Sequence, residues 1–317
     1  MSMTRILFAS DFHGSDRCFR KFISAAFHYQ ADVLIAGGDV TGKAMVPIVH
    51  QGNGHYRGFL FERKEEPETR EELANFQQAA SNAGFYPIVL EPDEAAALQT
   101  YPDLLEKRFE VEMSTRVREW LAWAGEKLTA SRIPLYFMPG NDDWYSIDEV
   151  IEEFDHVHNP DGKRYWIDGD HELVGLSNAN MTPWKCARDI EEGALASRLE
   201  EVAALLENPA QAVAVFHVPP YKSGLDVCPE LDENLKVKTL GGQILMKPVG
   251  STEVRKFIEK VQPLLSLHGH IHEAPGYTRI GRTLCMNPGS EYSAGILRAA
   301  IINLERNKIK GYILVSG

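Results

Sequence analysis

Five short apolar runs along the chain are each followed within a few residues by aspartate, asparagine or histidine, and this arrangement constrains the possible folds more than any other feature. Runs of this length that are rich in aliphatic and β-branched residues are typical of buried β-strands. The runs and the residues that follow them are RILFA with Asp11 and His13, ADVLIAG with Asp39, IPLYFM with Asn141, QAVAVF with His217, and PLLSL with His270 and His272. Because ligands bind beyond the carboxyl ends of strands in open α/β sheets, the sequence predicts one shared site at that edge.

Helical patterns alternate with the strand-like runs and predict an α/β layered fold. Amphipathic helices are expected over residues 15–28, 103–130, 191–207 and 253–261. Ser15 or Asp16 can cap the first of these helices, and Ser251 or Thr252 can cap the last. The C-terminal runs AAIINLE and KGYILV predict a closing hairpin.

Residues 43–102 break this alternation. The Asn53-Gly54 pair between two apolar runs predicts a hairpin, followed by a helix near 69–83 and a further short strand. A chain of 317 residues can hold one large domain or two modest ones. We predict a single domain over 1–317, with 43–102 as an insertion that could cap the edge of the site.

The charge and cysteine content exclude several classes of function. A formal net charge of -12 disfavours non-specific binding to nucleic acid and to anionic lipid. The four cysteines form no Cys-x-x-Cys pair, so neither a zinc knuckle nor a redox motif is indicated. No signal-peptide pattern and no apolar stretch long enough to span a membrane are present, so we expect a cytoplasmic protein without membrane contact. The oligomeric state stays open.

The seven residues at the strand ends have the chemistry of a metal centre. They offer three oxygen donors and four imidazoles, a mixed set that suits Mn, Fe, Co, Ni or Zn. Seven ligands exceed what one tetrahedral ion takes and fit two divalent ions that share a bridging carboxylate. Taken singly, Gly-Asp and Gly-Asn-Asp are ordinary turns, and a lone histidine after a strand is usually an interior side chain. All of them in this order predict a site.

The order of these motifs resembles the calcineurin-like metallophosphoesterase family, in particular its small bacterial members. The pattern runs Asp-x-His, Gly-Asp, Gly-Asn-Asp, His and Gly-His-x-His, and it is joined by HVPPYKSGLD (217–226) and NPGS (287–290). The resemblance covers roughly residues 5–42 and 132–317 and leaves out 43–102. It implies a four-layer αββα sandwich with the site at its loop-rich edge. By this resemblance Asp11, His13 and His272 bind one metal, Asn141, His217 and His270 bind the other, and Asp39 bridges the two.

The resemblance also implies a function, namely hydrolysis of a small phosphoester by a metal-bridging hydroxide. The alternative is a catalytically weak, metal-binding scaffold or interaction protein of the same fold. Scaffold relatives typically lose ligands, whereas all seven are present in this chain, which favours the enzyme. A nuclease is disfavoured by the acidic charge and by the absence of a basic, aromatic-interleaved patch, so nucleic acid is not expected as a partner.

One position departs from the family pattern. After Gly-Asn, many members carry a histidine that serves the leaving group, and this chain carries Asp142 beside Asn141 as its candidate catalytic residues. An ionised carboxylate cannot readily donate a proton, and it repels substrate by roughly 3 kcal/mol for charges about 5 Å apart at an effective dielectric near 20. A dianionic monoester would be repelled about twice as much, so we predict modest activity that favours phosphodiesters. Alternatively, Asp142 points away and caps the next turn, and Asp143 occupies the acidic position behind the ligands.

Other residues are candidates for supporting roles. His55 and Arg57 in the insertion either contact the phosphate or leaving group or lie at a solvated hairpin tip. His268 is expected to be structural or to orient a metal ligand by hydrogen bonding. Asn287 is expected to shape a tight turn behind the site.

Overall fold

The computed structural model describes residues 3–317 of the chain. Its α-helices are α1 (Asp16–His28), α2 (Arg70–Asn82), α3 (Pro92–Thr100), α4 (Pro102–Leu128), α5 (Ser146–Glu152), α6 (Glu192–Leu205) and α7 (Thr252–Val261). Its strands are β1 (Thr4–Ala9), β2 (Val33–Gly37), β3 (Met45–Gly52), β4 (His55–Leu60), β5 (Arg63–Glu65), β6 (Tyr86–Leu90), β7 (Leu135–Met138), β8 (Val157–His158), β9 (Arg164–Trp166), β10 (Glu172–Leu176), β11 (Ala179–Asn180), β12 (Asp189–Ile190), β13 (Val213–Phe216), β14 (Val227–Pro229), β15 (Thr239–Leu240), β16 (Gln243–Ile244), β17 (Met246–Pro248), β18 (Leu265–Leu267), β19 (Gly276–Ile280), β20 (Thr283–Asn287), β21 (Arg298–Glu305) and β22 (Lys308–Ser316). Short 3₁₀ turns lie at Thr129–Ser131, Pro209–Gln211 and Tyr292–Ala294.

Two six-stranded sheets carry the strands that precede the predicted site residues. The first has the order β22-β21-β1-β2-β7-β8, and the second has the order β19-β20-β18-β13-β10-β9. The neighbours β1, β2, β7 and β8 run parallel in the first sheet. In the second sheet β10, β13, β18 and β20 run parallel. The strands β1, β2 and β7 of one sheet and β13 and β18 of the other therefore deliver the polar residues at their carboxyl ends.

Three apolar cores hold the sheets and helices together. Residues from both sheets share one core, including Phe8 of β1 and Val215 of β13. Helices α1, α4 and α5 form a second core with the first sheet, in which Phe22 and Trp120 are buried. Helices α6 and α7 form a third with the second sheet, around Phe257. Full burial of one such side chain stabilises the fold by about 1.5–3 kcal/mol. The packing of helices against both sheets confirms the predicted α/β class.

The predicted local elements are largely confirmed. The five apolar runs form β1, β2, β7, β13 and β18, and the C-terminal runs form the hairpin of β21 and β22. The Ser15 side chain accepts a hydrogen bond from the Cys18 amide, and Ser251 accepts from the Glu253 and Val254 amides, so both predicted caps are made. The patterns did not indicate α3, α5 or β10. Segments as short as α5, with seven residues, and β10, with five, show too little periodicity to stand out.

Residues 43–102 form a sheet of their own with the order β5-β4-β3-β6, together with α2 and α3. The predicted hairpin is confirmed between β3 and β4, where Asn53 and Gly54 both adopt positive φ, at 52° and 78°. The predicted helix is confirmed as α2, which begins with a capping box formed by Thr69 and Glu72. Ile48 and Phe76 belong to a small separate core.

The base of this segment contacts the loops that follow β1 and β2. The Ser15 hydroxyl donates to the Asn82 carbonyl oxygen at 2.6 Å, and the Gly42 amide donates to the Tyr86 hydroxyl at 2.6 Å. Gly84 adopts a φ of +93°, and a Cβ on it would lie 2.3 Å from the backbone oxygen of His13. The segment therefore supports the loop of His13 from behind.

Gly84→Ala is expected to lower the free energy of unfolding by about 2 kcal/mol or more, because the left-handed backbone and the contact with His13 both oppose a Cβ. Chemical denaturation measures this change. Gly54→Ala is the matched control, since Gly54 also has a positive φ but no atom lies within 4 Å of its Cβ position among the described residues. Equal losses in the two variants would mean that the contact with His13 does not matter.

Asp168 links β1 to the turn before β10. Its carboxylate accepts hydrogen bonds from the Thr4 hydroxyl, from the Asp170 and His171 amides and from His171 Nδ1, at 2.5–2.8 Å. Burial alone would raise the pKa of Asp168, but the hydrogen bonds from His171 and Thr4 outweigh it and lower the pKa well below the usual value. A lowered folded-state pKa stabilises the fold above the unfolded-state pKa, near 3.9, and this stabilisation is lost as the pH falls.

Asp168→Asn is therefore expected to cost stability at pH 6 and progressively less as the pH falls towards 3. Denaturation of wild type and variant across this range measures the difference. Asp170→Asn, which removes only a partly exposed carboxylate paired with Arg306 at 3.3 Å, is the control. A difference between wild type and Asp168→Asn that stays constant with pH would contradict this prediction.

One negative finding concerns membranes. Among residues 3–317, none of the helices has both the length and the apolar character needed to cross a bilayer.

Candidate metal centre

The structure brings the seven strand-end residues together in two adjacent groups. In the first group, the Nε2 atoms of His13 and His272 lie 3.0 Å apart, and Asp11 Oδ1 lies 3.4 Å from His272 Nε2. In the second, Asp39 Oδ1 lies 3.2 Å from His217 Nε2, and Asn141 Oδ1 lies 2.8 Å from His270 Nδ1. The candidate ligand atoms of Asp11, His13 and His272 all lie within 4.8 Å of one another, as do those of Asp39, His217 and His270.

Asp39 faces both groups. Its Oδ1 points to His217, and its Oδ2 lies 3.6 Å from His13 Nε2. Ligands about 2.0–2.2 Å from one ion are separated by about 2.9–3.5 Å at octahedral or tetrahedral angles, so these spacings suit shared ions. His217 donates from Nδ1 to the Gly37 carbonyl oxygen at 3.0 Å, and its buried Nε2 has no hydrogen-bond partner within residues 3–317. A buried imidazole nitrogen oriented in this way fits a metal ligand.

The backbone at the site is strained. Asp11, His13, Asp39 and His270 have φ values of 57°, 41°, 48° and 67°, which are uncommon for residues other than glycine. Such conformations cost on the order of 1–3 kcal/mol each and persist only when their surroundings impose them. The His13 amide donates to the Asp39 carbonyl oxygen at 2.9 Å, and the His270 amide donates to Asp11 Oδ1 at 2.9 Å. These bonds hold the side chains in a cluster.

Two glycines are required by this close packing. A Cβ on Gly38, whose φ is +115°, would lie 2.3 Å from His217 Nδ1. A Cβ on Gly269 would lie 2.0 Å from the Ser10 hydroxyl oxygen. The Gly-Asp and Gly-His-x-His motifs thus need glycine because no side chain fits between the strand ends.

The charges of the cluster balance one another. Burial alone would lower the pKa of His217, but the negative charge of Asp39 raises it to about 10. Burial would raise the pKa of Asp11, but the hydrogen bond and charge of His272 lower it to about 2. Burial and the charge of His217 lower the pKa of His270 to about 4. Ionised carboxylates thus face imidazoles inside the protein. In such a cluster a divalent cation can bind in place of the protons on the imidazoles.

Asp143 holds the loop after β2 in place. Its buried carboxylate accepts hydrogen bonds from the Val40 and Thr41 amides at 3.0 and 2.8 Å, and from the Gly140 amide at 2.7 Å. The Thr41 hydroxyl donates a further bond at 2.6 Å. Asp143 therefore lies behind Asp39 and joins the Gly-Asp loop to the Gly-Asn loop.

His268 and Asn287 also lie behind the cluster. His268 Nδ1 lies 2.9 and 3.1 Å from the carbonyl oxygens of Phe216 and Val218, so it clamps the backbone on both sides of His217. The Asn287 amide nitrogen donates to the Ile271 carbonyl oxygen at 2.8 Å, between the two histidines of the Gly-His-x-His motif. Each residue fixes backbone rather than facing the cluster.

Asp143→Asn is expected to destabilise the fold by about 1–3 kcal/mol, because an amide nitrogen cannot accept the bonds that one of its oxygens now accepts. Metal affinity is expected to fall about 10–100-fold, as for other groups that orient ligands. Denaturation and metal titration measure the two effects. The control is Asp155→Asn at an exposed position, and a variant that matches this control in both measurements would contradict the supporting role.

Asp142 faces the site, so the alternative in which it points away and caps a turn is wrong. Its Oδ2 lies 3.8 Å from His13 Nδ1 and 3.1 Å from Lys43 Nζ. Burial and the charge of Asp39 raise the pKa of Asp142, whereas Lys43 lowers it. Lys43 pairs with this carboxylate and offsets part of the repulsion that was expected from it. No motif marked Lys43, which lies in the loop that follows Asp39.

A cavity of about 1030 Å³ opens beside the cluster. It is bordered by Asp39, Asn141, His270 and His272, by Lys43 and Asp142, and by apolar residues from three other parts of the chain. Tyr292 also borders it, with its ring centroid 4.7 Å from that of His13. The sequence patterns did not indicate any of the apolar residues that border this cavity.

His55 and Arg57 are not among the residues that line this cavity. His55 Nδ1 lies 3.6 Å from a carboxylate oxygen of Glu68, and Arg57 Nε lies 3.1 Å from one of Glu66. Both side chains are about half exposed, at 49% and 47%. The predicted substrate contact therefore has no support, and the solvated hairpin fits these positions better.

The known proteins that match this chain are only distantly similar to it. No family model matches the sequence. An uncharacterized protein of Methanocaldococcus jannaschii, MJ1162, is 30% identical over 154 residues, which are 48% of this chain and 62% of that protein. The match thus spans less than two thirds of the length of that relative.

Solved structures support the fold. The crystal structure of TT1561 of Thermus thermophilus matches 100% of this chain and 99% of its own, with a TM-score of 0.52 and 16% identity. YfcE, described as a phosphoesterase from E. coli, matches 98% of both chains with a TM-score of 0.36 and 12% identity. The first similarity supports a shared overall fold, and the second is too weak to bear on this chain.

Proposed function

We propose that this chain is a calcineurin-like metallophosphoesterase that hydrolyses small phosphate esters with two divalent metal ions. The observation that carries the proposal is Asp39, which presents one carboxylate oxygen to each of two clusters of buried aspartate and histidine. The three apolar cores support a four-layer αββα arrangement over a single domain, with 43–102 inserted. We further propose that the substrate is a small phosphoester and that the protein acts in the cytoplasm. Neither nucleic acid nor a membrane has a role in this proposal.

The residues have distinct roles in this proposal. Asp11, His13 and His272 would hold one ion, Asn141, His217 and His270 would hold the other, and Asp39 would contact both. The mixed oxygen and nitrogen donors suit Mn, Fe, Co, Ni or Zn. When bound, such a pair of ions supplies Lewis-acid stabilisation of phosphoryl oxygens and a hydroxide available near neutral pH as nucleophile.

Lys43 and Asp142 act on the substrate side of the cluster. Lys43 borders the cavity, so we expect its ammonium to contact an anionic phosphoryl group that binds there. Its ion pair with Asp142 reduces the repulsion that the carboxylate exerts on substrate. We still expect diesters to be favoured over monoesters, because the residual charge of Asp142 opposes a dianion more than a monoanion, and because the cavity has room for two ester groups.

The test combines metal analysis with a panel of phosphate esters. Purified protein is expected to contain up to two divalent ions per chain and to hydrolyse p-nitrophenyl phosphodiesters with a higher kcat/KM than p-nitrophenyl phosphate. Each of the five candidate metals is added in turn to chelator-treated protein. Faster hydrolysis of the monoester would contradict the diester preference alone. Metal binding without hydrolysis of any ester would favour the scaffold.

A further inference from the structure

The cavity beside the metal cluster is polar on one side and apolar on the others. Asp39, Asn141, His270 and His272 border it on the cluster side. Outside the cluster its charged side chains are Lys43, Asp142, Asp232, Lys247 and Glu273, two cations and three anions, which do not suit a polyanion. The rest of its surface comes mainly from apolar and aromatic side chains. An apolar group of a substrate could therefore bind there, next to the phosphate that the cluster would hold.

One apolar wall is the loop between β11 and β12. Met181 and Trp184 border the cavity there, and they are 41% and 63% exposed to solvent. Large apolar side chains left in water forgo the gain in free energy from burial, and a cluster of them beside a cavity marks a binding surface.

This wall is firmly anchored to the metal cluster. The carboxylate of Asp189 accepts hydrogen bonds from the Asn141 side-chain amide at 2.8 Å and from the Cys186 amide at 2.9 Å. The buried Arg188 donates to the carbonyl oxygens of Asp143 and Trp144 at 2.9 and 3.0 Å. The loop is thus held in place beside the site, because Asp189 at its base accepts a hydrogen bond from the candidate ligand Asn141.

A second apolar wall is formed by residues 227–249, which we call the arm. Strands β14 and β17 pair at its base, and β15 and β16 form the hairpin at its tip. Leu235 and Val237 border the cavity and are 46% and 47% exposed, whereas Leu240 at the tip is 73% exposed and does not border it. Two separate segments therefore present apolar side chains to the same space.

We propose that this cavity binds an apolar or aromatic ester group of the substrate, so that the preferred substrate is an amphiphilic phosphodiester. This inference rests on the proposed function. A cavity of about 1030 Å³ lies at the upper end of the roughly 300–1,000 Å³ typical of ligand pockets, so it holds far more than a phosphate. Trp184 and Leu235 provide the contacts that select the ester group.

The test uses p-nitrophenyl alkyl phosphates with methyl, butyl and octyl groups, which share one leaving group and one charge. Burial of each methylene is expected to raise kcat/KM about threefold to fourfold until the cavity is filled, so the butyl ester, with three more methylenes, should exceed the methyl ester by about 30- to 60-fold. Trp184→Ala and Leu235→Ala are expected to lower the octyl-to-methyl ratio by about tenfold or more. The ratio cancels any change in metal loading between variants.

Leu240→Ala is the matched control, because Leu240 is an apolar residue of the same arm outside the cavity. Its octyl-to-methyl ratio is expected to equal that of wild type, and an equal loss in this variant would overturn the inference. Hydrolysis that is independent of chain length in wild type would also overturn it and leave the proposed function standing. Failure to hydrolyse any of these esters with any candidate metal would overturn both.

Discussion

Asp39→Asn is expected to lower kcat/KM for phosphodiester hydrolysis by at least about 10³-fold, or about 4 kcal/mol. The two side-chain oxygens of Asp39 face different candidate ligand groups, Oδ1 towards His217 and Oδ2 towards His13. An amide nitrogen at one of these positions cannot bind a cation, so one ion is lost or weakly held. Steady-state kinetics and the metal content of the purified variant measure the two losses.

The substitution is not expected to prevent folding. Asn has the size of Asp and tolerates the left-handed backbone at this position, where φ is 48°. Circular dichroism checks the fold, and Asp155→Asn provides an exposed control for the loss of one negative charge. A folded Asp39→Asn protein that keeps two ions and full activity would show that the proposal of two bridged ions is wrong. Wild-type protein without activity, and with a partner that the variant still binds, would favour the scaffold.

Lys43→Gln is expected to lower kcat/KM by about 10²-fold, and to affect a monoester more than a diester. Its removal leaves Asp142 without the ammonium that lies 3.1 Å away. At an effective dielectric near 20, an uncompensated charge about 5 Å from substrate costs about 3 kcal/mol, which corresponds to about 10²-fold. Because a dianion is repelled about twice as much as a monoanion, the ratio of diester to monoester activity should rise.

A double-mutant cycle separates the two contributions of Lys43. Asp142→Asn removes the repulsion, so Lys43→Gln in that background should show only the loss of the contact between Lys43 and phosphate. A smaller effect in the Asp142→Asn background is therefore expected. An effect of the same size in both backgrounds would mean that the ion pair does not modulate substrate binding, and no effect in either would remove Lys43 from the site.

Much of the candidate site could be predicted from the sequence, because the evidence for it is local. Each of the apolar runs that precede Asp11, Asp39 and His217 forms a buried strand, and a polar residue after such a run must lie at its end. Parallel strands place those ends on the same side of a sheet. The order of motifs then pointed to a shared cluster without knowledge of any contact.

The sequence could not predict most of what faces the cluster. Asp142 follows the Gly-Asn pair and was a candidate, but Lys43 and Trp184 come from two other loops, and neither belongs to a motif or to a periodic pattern. His55 and Arg57 illustrate the same limit, since their residue types suit a phosphate but their side chains pair with glutamates of the same segment. The arm was likewise unmarked, because its strands have only two or three residues each.

The sequence by itself determined the type of element at each predicted strand and helix, and the chemical kind of site that their ends can build. These depend on residue type and on spacing along a few neighbouring positions, where side-chain periodicity and hydrogen-bonding capacity act directly. Only the tertiary structure decided that Lys43 pairs with Asp142, that Asp143 supports the Asp39 loop, and which apolar side chains border the cavity. Those contacts join residues far apart in the chain, and their geometry depends on how the two sheets and their loops pack together.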